Sequence, residues 1–141
     1  MKNKVIALRG IANQGKSRSI KEAYDLLKKS YVVDSTIHEI SGADLRVVLI
    51  IGDVKIGIES QGDPNSRLTN SLILFSNLGC QIIICATRTR GSTVNAVQAL
   101  KSTYEVIFLD KAGEQDKSKQ NAANLTTAKL IVLHVQNILK A

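Results

Sequence analysis

The sequence predicts an α/β protein with a mainly parallel β-sheet and an added antiparallel hairpin. Three observations predict it: apolar segments alternate with segments of helical periodicity, the first apolar segment leads into a glycine-flanked loop, and Gly52-Asp53 joins two apolar segments. Strands that alternate with helices form parallel sheets covered on both faces, whereas a two-residue turn joins antiparallel neighbours. A length of 141 residues suits one domain, so we predict a single domain over residues 1–141.

The first part of the chain predicts a strand, a loop and a helix in that order. Residues 4–9 (KVIALR) are mostly apolar and end at a glycine, which predicts a buried strand. Residues 18–30 predict an amphipathic helix whose apolar side chains recur at helical spacing, namely Ile20, Ala23, Tyr24 and Leu27. Residues 31–40 are rich in β-branched side chains, which favour a further strand.

The middle of the chain predicts the hairpin and a second helix. Residues 46–59 hold the two apolar segments on either side of the Gly-Asp turn and therefore predict the hairpin itself. Asp63 followed by Pro64 is typical of a helix N-cap with proline at the first helical position. We expect this helix to end near Asn77, because Gly79 supplies a C-terminal stop.

The last third of the chain continues the alternation of strands and helices. Residues 81–87 and 104–110 are strongly apolar and predict two more strands. Between them, residues 93–103 predict a short helix that follows a polar loop. Residues 121–141 predict a long closing helix after the polar loop 111–120.

The octapeptide GIANQGKS, residues 10–17, has the chemistry of a phosphate-binding loop. Its glycines let the main chain wrap closely enough for N–H groups to point at phosphate oxygens. The following helix presents unpaired N–H groups and the positive end of its dipole to the same anion. Lys16 supplies a positive charge for the terminal phosphates, and the Ser17 hydroxyl is a ligand for Mg²⁺. The predicted nucleotide-binding residues are Gly10, Ile11, Ala12, Asn13, Gln14, Gly15, Lys16, Ser17 and Arg18.

This octapeptide resembles the Walker A motif of P-loop nucleoside triphosphatases and kinases. The context that such a motif needs is present, since a predicted buried strand precedes it and a predicted helix follows it. The resemblance covers roughly the first 30 residues by motif and the rest of the chain only by element order. It implies a three-layer P-loop fold that binds ATP and Mg²⁺, with Lys16 as a catalytic residue.

P-loop proteins usually carry an acidic residue at the end of another core strand, where it holds Mg²⁺. Glu59 ends the second strand of the predicted hairpin, and Asp63 follows four residues later. The segment IGIES departs from the family pattern because glutamate stands where aspartate is expected. Both acids therefore remain candidate metal ligands, and Glu59 is also a candidate catalytic acid. A cation in the first turn of a helix is unfavourable for the helix dipole, so an arginine at this position indicates a bound anion. Arg67 is therefore a candidate anion ligand.

Two arginines, Arg88 and Arg90, follow the strand predicted over residues 81–87. The carboxyl ends of strands in open α/β sheets border the ligand crevice, so we expect both side chains near the phosphates. There they would neutralise charge that develops during phosphoryl transfer, and we predict a catalytic role for them. The segment resembles the arginine-bearing lid of nucleotide kinases, although it is much shorter than a full lid domain.

The sequence favours ATP as the nucleotide, because the D-x-x-G and N-K-x-D elements of Ras-like GTPases do not occur in it. In related kinases, the loop corresponding to residues 109–114 often holds adenine. We expect a small Mg²⁺-dependent NTPase or a phosphotransferase like nucleotide or small-molecule kinases, acting on water or on an unidentified acceptor. Two alternatives stay open: a non-catalytic nucleotide-dependent switch or partner subunit, and a nucleic-acid-associated ATPase.

Composition limits the remaining functional classes. The net charge of +7 is compatible with a nucleic-acid partner, but the basic residues are spread along the chain without a recognition motif. The apolar runs are too short to span a membrane and no signal-peptide pattern occurs, so we expect a cytoplasmic protein without a membrane partner. Cys80 and Cys85 are expected to be buried, reduced thiols. A homo-oligomer that completes the site stays open.

Overall fold

The structure, a computed structural model, describes residues 3–42 and 44–140 and contains six strands and four helices in them. The alternation of strands and helices predicted from the sequence is confirmed, and the fold is of the α/β class. In chain order the elements are β1 (Lys4–Arg9), α1 (Lys16–Ser30), β2 (Asp34–Ser41), β3 (Asp44–Ile51), β4 (Val54–Glu59), α2 (Leu68–Asn77), β5 (Ile82–Thr87), α3 (Ser92–Gln98), β6 (Glu105–Asp110) and α4 (Lys117–Lys140).

The six described strands form one mixed sheet in the order β2-β3-β4-β5-β1-β6. Strands β4, β5, β1 and β6 run parallel, whereas β2, β3 and β4 pair in antiparallel fashion. The mostly parallel sheet and the added hairpin are therefore confirmed. Strand β3 begins at Asp44 instead of residue 46, and the strand predicted over residues 31–40 lies at 34–41, where it extends the hairpin.

Helices cover both faces of the sheet. On one face, Leu27 of α1 and Ile131 of α4 belong to one apolar core. On the other face, Phe75 of α2 and Val97 of α3 belong to a second core. Successive buried residues of β1 alternate between the two cores, as the two-residue period of a strand requires. This arrangement is compatible with a three-layer α/β fold.

The outermost strand β2 differs from the strands that the helices cover. Every residue of β2 is exposed except Ile37, which is half-buried. Helix α1 reaches the strand through Tyr24, whose Oη lies 3.0 Å from His38 Nε2. By contrast, all residues of β5 and all but one of β4 are buried. The packed part of the sheet therefore begins at β3, and β2 lies at its margin.

The start of α2 is the largest difference from the predicted elements. The helix begins at Leu68, so the prediction of Asp63 as its N-cap and Pro64 as its first residue is wrong. The chain makes a turn there, in which the Asp63 carbonyl accepts the Ser66 N–H at 3.2 Å. Asn65 adopts a φ of 61°, which is incompatible with a continuing right-handed helix. Ser66 Oγ accepts the Leu68 N–H at 3.3 Å and so satisfies one end group of the helix.

The end of α2 agrees with its prediction. The helix ends at Asn77, and Gly79 adopts a φ of 77°. The Gly79 N–H bonds to Ser76 O at 3.1 Å, and the Cys80 N–H bonds to Phe75 O at 3.0 Å. These bonds satisfy carbonyl groups that the last helical turn leaves unpaired. The predicted glycine stop is confirmed.

The two remaining helices have shifted boundaries. Helix α3 is shorter than the predicted 93–103. Helix α4 begins at Lys117, four residues before the predicted start, because the Asp116 carboxylate accepts the Ser118 N–H at 3.0 Å. Its predicted last residue, 141, lies outside the described residues. None of the helices in the described part of the chain is long and apolar enough to cross a membrane.

Candidate functional site

Three chain segments converge at the carboxyl ends of the parallel strands. The loop 10–15 follows β1, the segment 60–67 follows β4, and Arg88 follows β5. Strand β1 leads into α1 on one face of the sheet, whereas its neighbour β5 leads into α3 on the other face. Such a reversal between neighbouring strands opens a crevice at their carboxyl ends, and ligands of open α/β sheets bind there.

The loop after β1 has a backbone that depends on particular residue types. Asn13 and Gly15 adopt φ values of 61° and 84°, in the left-handed region that few residues other than glycine and asparagine accept. A Cβ atom at Gly10 would lie only 2.7 Å from Lys111 O, so the two main chains are in close contact. The Gly10 N–H also bonds to Thr87 O at 3.1 Å. Main-chain contacts with the ends of β5 and β6 therefore fix the loop.

Helix α1 starts directly after this loop with an uncapped N-terminus. Its first helical hydrogen bond runs from Ser19 N to Gly15 O at 2.9 Å. The N–H groups of residues 16–18 precede that bond and have no acceptor within the helix. No side chain in the described parts of the chain caps this end, and no acidic residue occurs in the first turn. The positive end of the helix dipole therefore favours a bound anion at this point.

Lys16 brings a nearly buried cation to the same place. Only 7% of Lys16 is exposed, and Nζ donates to Gly10 O at 2.5 Å and to Thr87 O at 2.6 Å. Burial lowers the pKa of Lys16; the negative charge of Asp63 counteracts this decrease, and the positive charge of Arg88 adds to it. The two carbonyl oxygens hold the ammonium group between the ends of β1 and β5.

A cleft of about 380 Å³ opens at this edge of the sheet. Its lining includes residues 12–18, which are most of the predicted phosphate loop. Residues 60–63, Ser66, Ala86 and Asp44 at the start of β3 complete the lining. Among the candidate acids of the sequence, Asp63 therefore borders the cleft together with the loop.

Asp63 reaches the cleft although β5 separates β4 from β1 in the sheet. The main chain at Gly62 passes so close to Ala86 that a Cβ atom there would collide with the Ala86 carbonyl oxygen. The segment after β4 thus crosses the end of β5 toward the loop. The Asp63 carboxylate accepts a hydrogen bond from Arg88 Nε at 2.9 Å, in a solvent-accessible ion pair.

Glu59 has a different environment from Asp63. Glu59 is fully buried, and its Oε1 accepts hydrogen bonds from Arg67 Nε at 2.7 Å and from Ser71 Oγ at 2.5 Å. Its Oε2 accepts the Gln61 N–H at 3.1 Å. Glu59 does not belong to the lining of the cleft. Its carboxylate connects β4 to the start of α2. Arg67, a candidate anion ligand, is already paired with this carboxylate.

Three other predicted residues differ in whether they line the cleft. Ser17 lines the cleft, and its Oγ donates a hydrogen bond to Ser60 O at 3.1 Å. Arg18 also lines the cleft and is exposed. Arg90 is exposed in the loop before α3, and neither Arg90 nor Arg88 belongs to the lining of the cleft. The structure therefore brings Ser17 and Arg18 to the cleft and leaves Arg90 in solvent.

Two residues of the cleft, Asp44 and Ser60, belong to no motif in the sequence. Both reach the cleft through the pairing of β3 with the end of β4, where the Ser60 N–H bonds to Leu45 O at 3.0 Å. A hairpin predicted to begin at residue 44 instead of 46 would have drawn attention to Asp44. No local pattern distinguishes Ser60 from an ordinary loop serine.

A second cleft of about 360 Å³ lies beside the loop after β6. Arg9 closes part of it, with Nε bonded to Asp110 Oδ1 at 2.7 Å and its guanidinium 4.5 Å from the centre of the Phe108 ring. The lining consists of Arg9, Gly10, Ile11, Gln14, Thr89, Asp110, Lys111, Ala112 and Gly113. Gly10 and Ile11, the predicted phosphate-loop residues outside the first cleft, therefore border this one.

Two side chains of the first cleft, Ser17 and Asp63, carry oxygen atoms of the kind that magnesium prefers. Among the described residues, no group of three or more His, Cys, Asp and Glu side chains could hold a metal by itself. Ser17 and Asp63 nevertheless contribute a hydroxyl and a carboxylate to one cleft. Mg²⁺ commonly takes one or two carboxylates and completes its shell with water and phosphate oxygens. A magnesium site of this kind does not need a coordination shell made only of protein side chains.

Comparison with known proteins assigns no family and no function to the chain. No protein-family model matches the chain, and no curated protein or solved structure matches it. The function is therefore inferred from the geometry and chemistry of the cleft.

Proposed function

We propose that this protein binds ATP together with Mg²⁺ and acts as a small NTPase or phosphotransferase with a P-loop. The position of Lys16 carries the proposal: its ammonium is nearly buried, bonds to Gly10 O and Thr87 O, and lies at the uncapped start of α1. A buried cation beside the N-terminus of a helix suits a polyanion better than a neutral ligand. The resemblance of residues 10–17 to a Walker A motif agrees with that chemistry.

The main chain and Lys16 act on the same phosphates in this proposal. The N–H groups of residues 16–18 donate to phosphate oxygens, and the positive φ of Asn13 and Gly15 curves the preceding loop around them. Phosphate oxygens replace the carbonyl oxygens of Gly10 and Thr87 as partners of Lys16 Nζ. Charge-assisted bonds of this kind are stronger than the neutral ones they replace.

Ser17 and Asp63 are the proposed metal ligands, because both line the cleft. Mg²⁺, when bound, neutralises phosphate charge and orients the terminal phosphate. Glu59, the other acid predicted from the sequence, already accepts hydrogen bonds on both carboxylate oxygens. Its contacts favour a positioning role, in which it orders the segment that carries Asp63.

Arg88 supplies a second cation to the phosphates in this proposal. Its guanidinium is paired with Asp63, and both charges lie close enough to Lys16 to affect its pKa. If magnesium and phosphate bind, Asp63 would hold the metal and Arg88 would be available to pair with the phosphate. Arg88 then opposes the negative charge that develops during transfer. Arg90 lies two residues further along the same loop and is the weaker candidate because it is exposed.

ATP remains the proposed nucleotide because the sequence lacks the GTPase elements D-x-x-G and N-K-x-D. The second cleft is the proposed place for the adenine ring, since it borders both the phosphate loop and residues 110–113. Ile11 offers an apolar contact there, with 56% of its surface exposed. Burial of that side chain against a base would contribute to affinity.

Replacing Lys16 by alanine tests this proposal. The wild-type protein is expected to bind a non-hydrolysable ATP analogue with Mg²⁺ in a calorimetric titration. Lys16→Ala should weaken that binding on the order of 100-fold, because it removes charge-assisted bonds to phosphate. Lys29→Ala is the matched control, since Lys29 is exposed in the last turn of the same helix. Equal affinity of wild type and Lys16→Ala would refute the proposal.

Turnover then separates the functional classes. Release of phosphate from ATP with water alone identifies an NTPase, whereas consumption that requires an added acceptor identifies a phosphotransferase. Binding without turnover in either assay favours a nucleotide-dependent switch. Stimulation by DNA or RNA that falls steeply with salt favours a nucleic-acid-associated ATPase.

A further inference from the structure

Asp44 is an acidic residue of the cleft that neither the motif nor the proposed metal site uses. It is the first residue of β3 and lines the same cleft as residues 12–18. Asp63 is the other acidic residue of that lining, and its carboxylate is paired with Arg88. The Asp44 carboxylate has no hydrogen bond or ion pair with any residue in the described parts of the chain. It is therefore a free acceptor at the edge of the cleft.

Hydrogen bonds through Ser60 fix the position of Asp44 relative to the phosphate loop. Ser60 is fully buried, and its Oγ accepts the N–H of Leu45, the neighbour of Asp44, at 2.9 Å. The Ser60 N–H bonds in turn to Leu45 O at 3.0 Å. The Ser60 carbonyl accepts the Ser17 hydroxyl at 3.1 Å. One buried serine thus ties the start of β3 to the start of α1.

The three acids near the cleft therefore differ in what they can accept. Glu59 is buried, and its carboxylate collects bonds from Arg67, Ser71 and the Gln61 main chain. Asp63 shares its charge with Arg88. Asp44 borders the cleft without either kind of partner. A carboxylate in that state can accept a proton from a hydroxyl that enters the cleft.

We propose that Asp44 is the general base that activates the water attacking the terminal phosphate of ATP. The inference rests on the proposed function and adds a catalytic residue to it. The water oxygen forms a bond to the terminal phosphorus, and the bond from that phosphorus to the bridging oxygen breaks. ADP leaves with the electron pair of that bond. The proton of the water passes to the Asp44 carboxylate and from there to solvent.

The substitution Asp44→Asn removes the proton acceptor and keeps the size of the side chain. Phosphate release from ATP should fall by about 100-fold or more, the range typical of a lost general base. Affinity for the non-hydrolysable ATP analogue, and its dependence on Mg²⁺ concentration, should stay within about twofold of wild type, since Lys16, Ser17 and Asp63 remain. Asp53→Asn is the matched control, because Asp53 is an exposed aspartate in the turn at the other end of β3. The control should match wild type in both measurements.

Each other outcome is decisive. Unchanged phosphate release in Asp44→Asn refutes the role of Asp44. Loss of both turnover and Mg²⁺-dependent affinity makes Asp44 a metal ligand and equally refutes its role as the base. A wild-type protein that binds the analogue without hydrolysing ATP leaves nucleotide binding intact and refutes the step assigned to Asp44. A wild-type protein that binds no analogue overturns the proposed function itself.

Discussion

The loop 10–17 and the segment 59–67 reach the same cleft from parallel strands, but different interactions hold them. The loop is fixed by main-chain bonds, which include Gly10 N to Thr87 O and Ser19 N to Gly15 O. The segment is fixed by the buried carboxylate of Glu59, which binds Arg67, Ser71 and the Gln61 N–H. Two neighbouring parts of one site can therefore be disrupted by different kinds of substitution. The loop 10–17 depends on its backbone conformation, whereas the segment 59–67 depends on the charged side chain of Glu59.

The largest expected effect on stability comes from Glu59→Ala, which removes the anchor of the segment 59–67. Arg67 and Ser71 then lose their acceptor, and Arg67 already has one buried nitrogen, Nη2, without a partner among the described residues. The free energy of unfolding should fall by about 3 kcal/mol, as measured by urea denaturation. Glu39→Ala is the control, because Glu39 pairs with Arg46 at the protein surface and should change stability little. Equal losses in both variants would contradict the anchoring role.

The next effect tests the loop through two glycines of similar conformation. Gly15 and Gly79 have φ values of 84° and 77°, so alanine strains the backbone at both positions. A Cβ at Gly15 would also collide with the Asn124 side chain, whereas none of the described residues lies within 4 Å of one at Gly79. We expect Gly15→Ala to cost about 2 kcal/mol and to weaken nucleotide binding, and Gly79→Ala to cost about 1 kcal/mol only. Thermal unfolding and calorimetric titration measure the two effects. If both variants lowered the nucleotide affinity equally, the loop 10–17 would have no specific role in nucleotide binding.

A smaller effect distinguishes the two acids as metal ligands. If Asp63 holds Mg²⁺, Asp63→Asn should weaken the Mg²⁺-dependent affinity for the ATP analogue about tenfold, or about 1.4 kcal/mol. Glu59→Gln keeps one oxygen acceptor, which can serve Arg67 and Ser71, and should leave that dependence near the wild-type value. The measurement is a titration of analogue binding against Mg²⁺ concentration. The reverse order of effects would make Glu59 the ligand.

The smallest effect uses Cys85 of β5 as a reporter of the segment 59–67. Burial, followed by the negative charge of Glu59, raises the pKa of Cys85 to about 12, and burial raises the pKa of Cys80 to about 11. Both thiols should therefore resist iodoacetamide at pH 8 in the native protein and react once urea unfolds it. Glu59→Ala should speed the reaction of Cys85, because the less stable variant opens more often. Rapid modification of the native wild-type protein would contradict this burial.

The same thiols make a prediction for alkaline pH. In the unfolded chain they lose protons near pH 8.5, whereas in the native protein they keep them until about pH 11 to 12. Above pH 8.5 the unfolded state therefore binds fewer protons than the native state. The stability that these thiols contribute is complete below pH 8.5 and declines as the pH rises toward 12. Urea denaturation at several alkaline pH values measures the decline.

The sequence predicts those parts of the fold that local chemistry determines. Apolar runs identify the parallel strands, and a glycine beyond the last turn identifies the end of α2, as Gly79 confirms. The predicted start of α2 is wrong because Asp63-Pro64, although typical of a helix N-terminus, is overridden by tertiary contacts. Glu59 binds Arg67 and Ser71 only when β4 and α2 pack together, and no spacing in the sequence encodes that packing.

The candidate site divides in the same way. Residues 10–18 are contiguous and carry a pattern of residue types, so the sequence predicts them as a group. Asp44 comes to the cleft through the register of β3 against β4, in which Arg46 lies opposite Glu59. Strand register depends on which face is buried and cannot be read from a single aspartate. Distant residues that join a site through sheet pairing therefore need the structure.

Strand β2 has a consequence for amide hydrogen exchange. Its residues are exposed, and a bulge between Ser35 and Ile37 interrupts its pairing with β3. Few apolar contacts oppose its separation from β3, so its amide protons should exchange with deuterium far sooner than those of β1 and β5. Lys16, by contrast, bonds to Thr87 O at the end of β5, a strand whose residues are all buried. Amide exchange should therefore divide the sheet into a protected part, which carries the loop 10–17, and a rapidly exchanging outer strand.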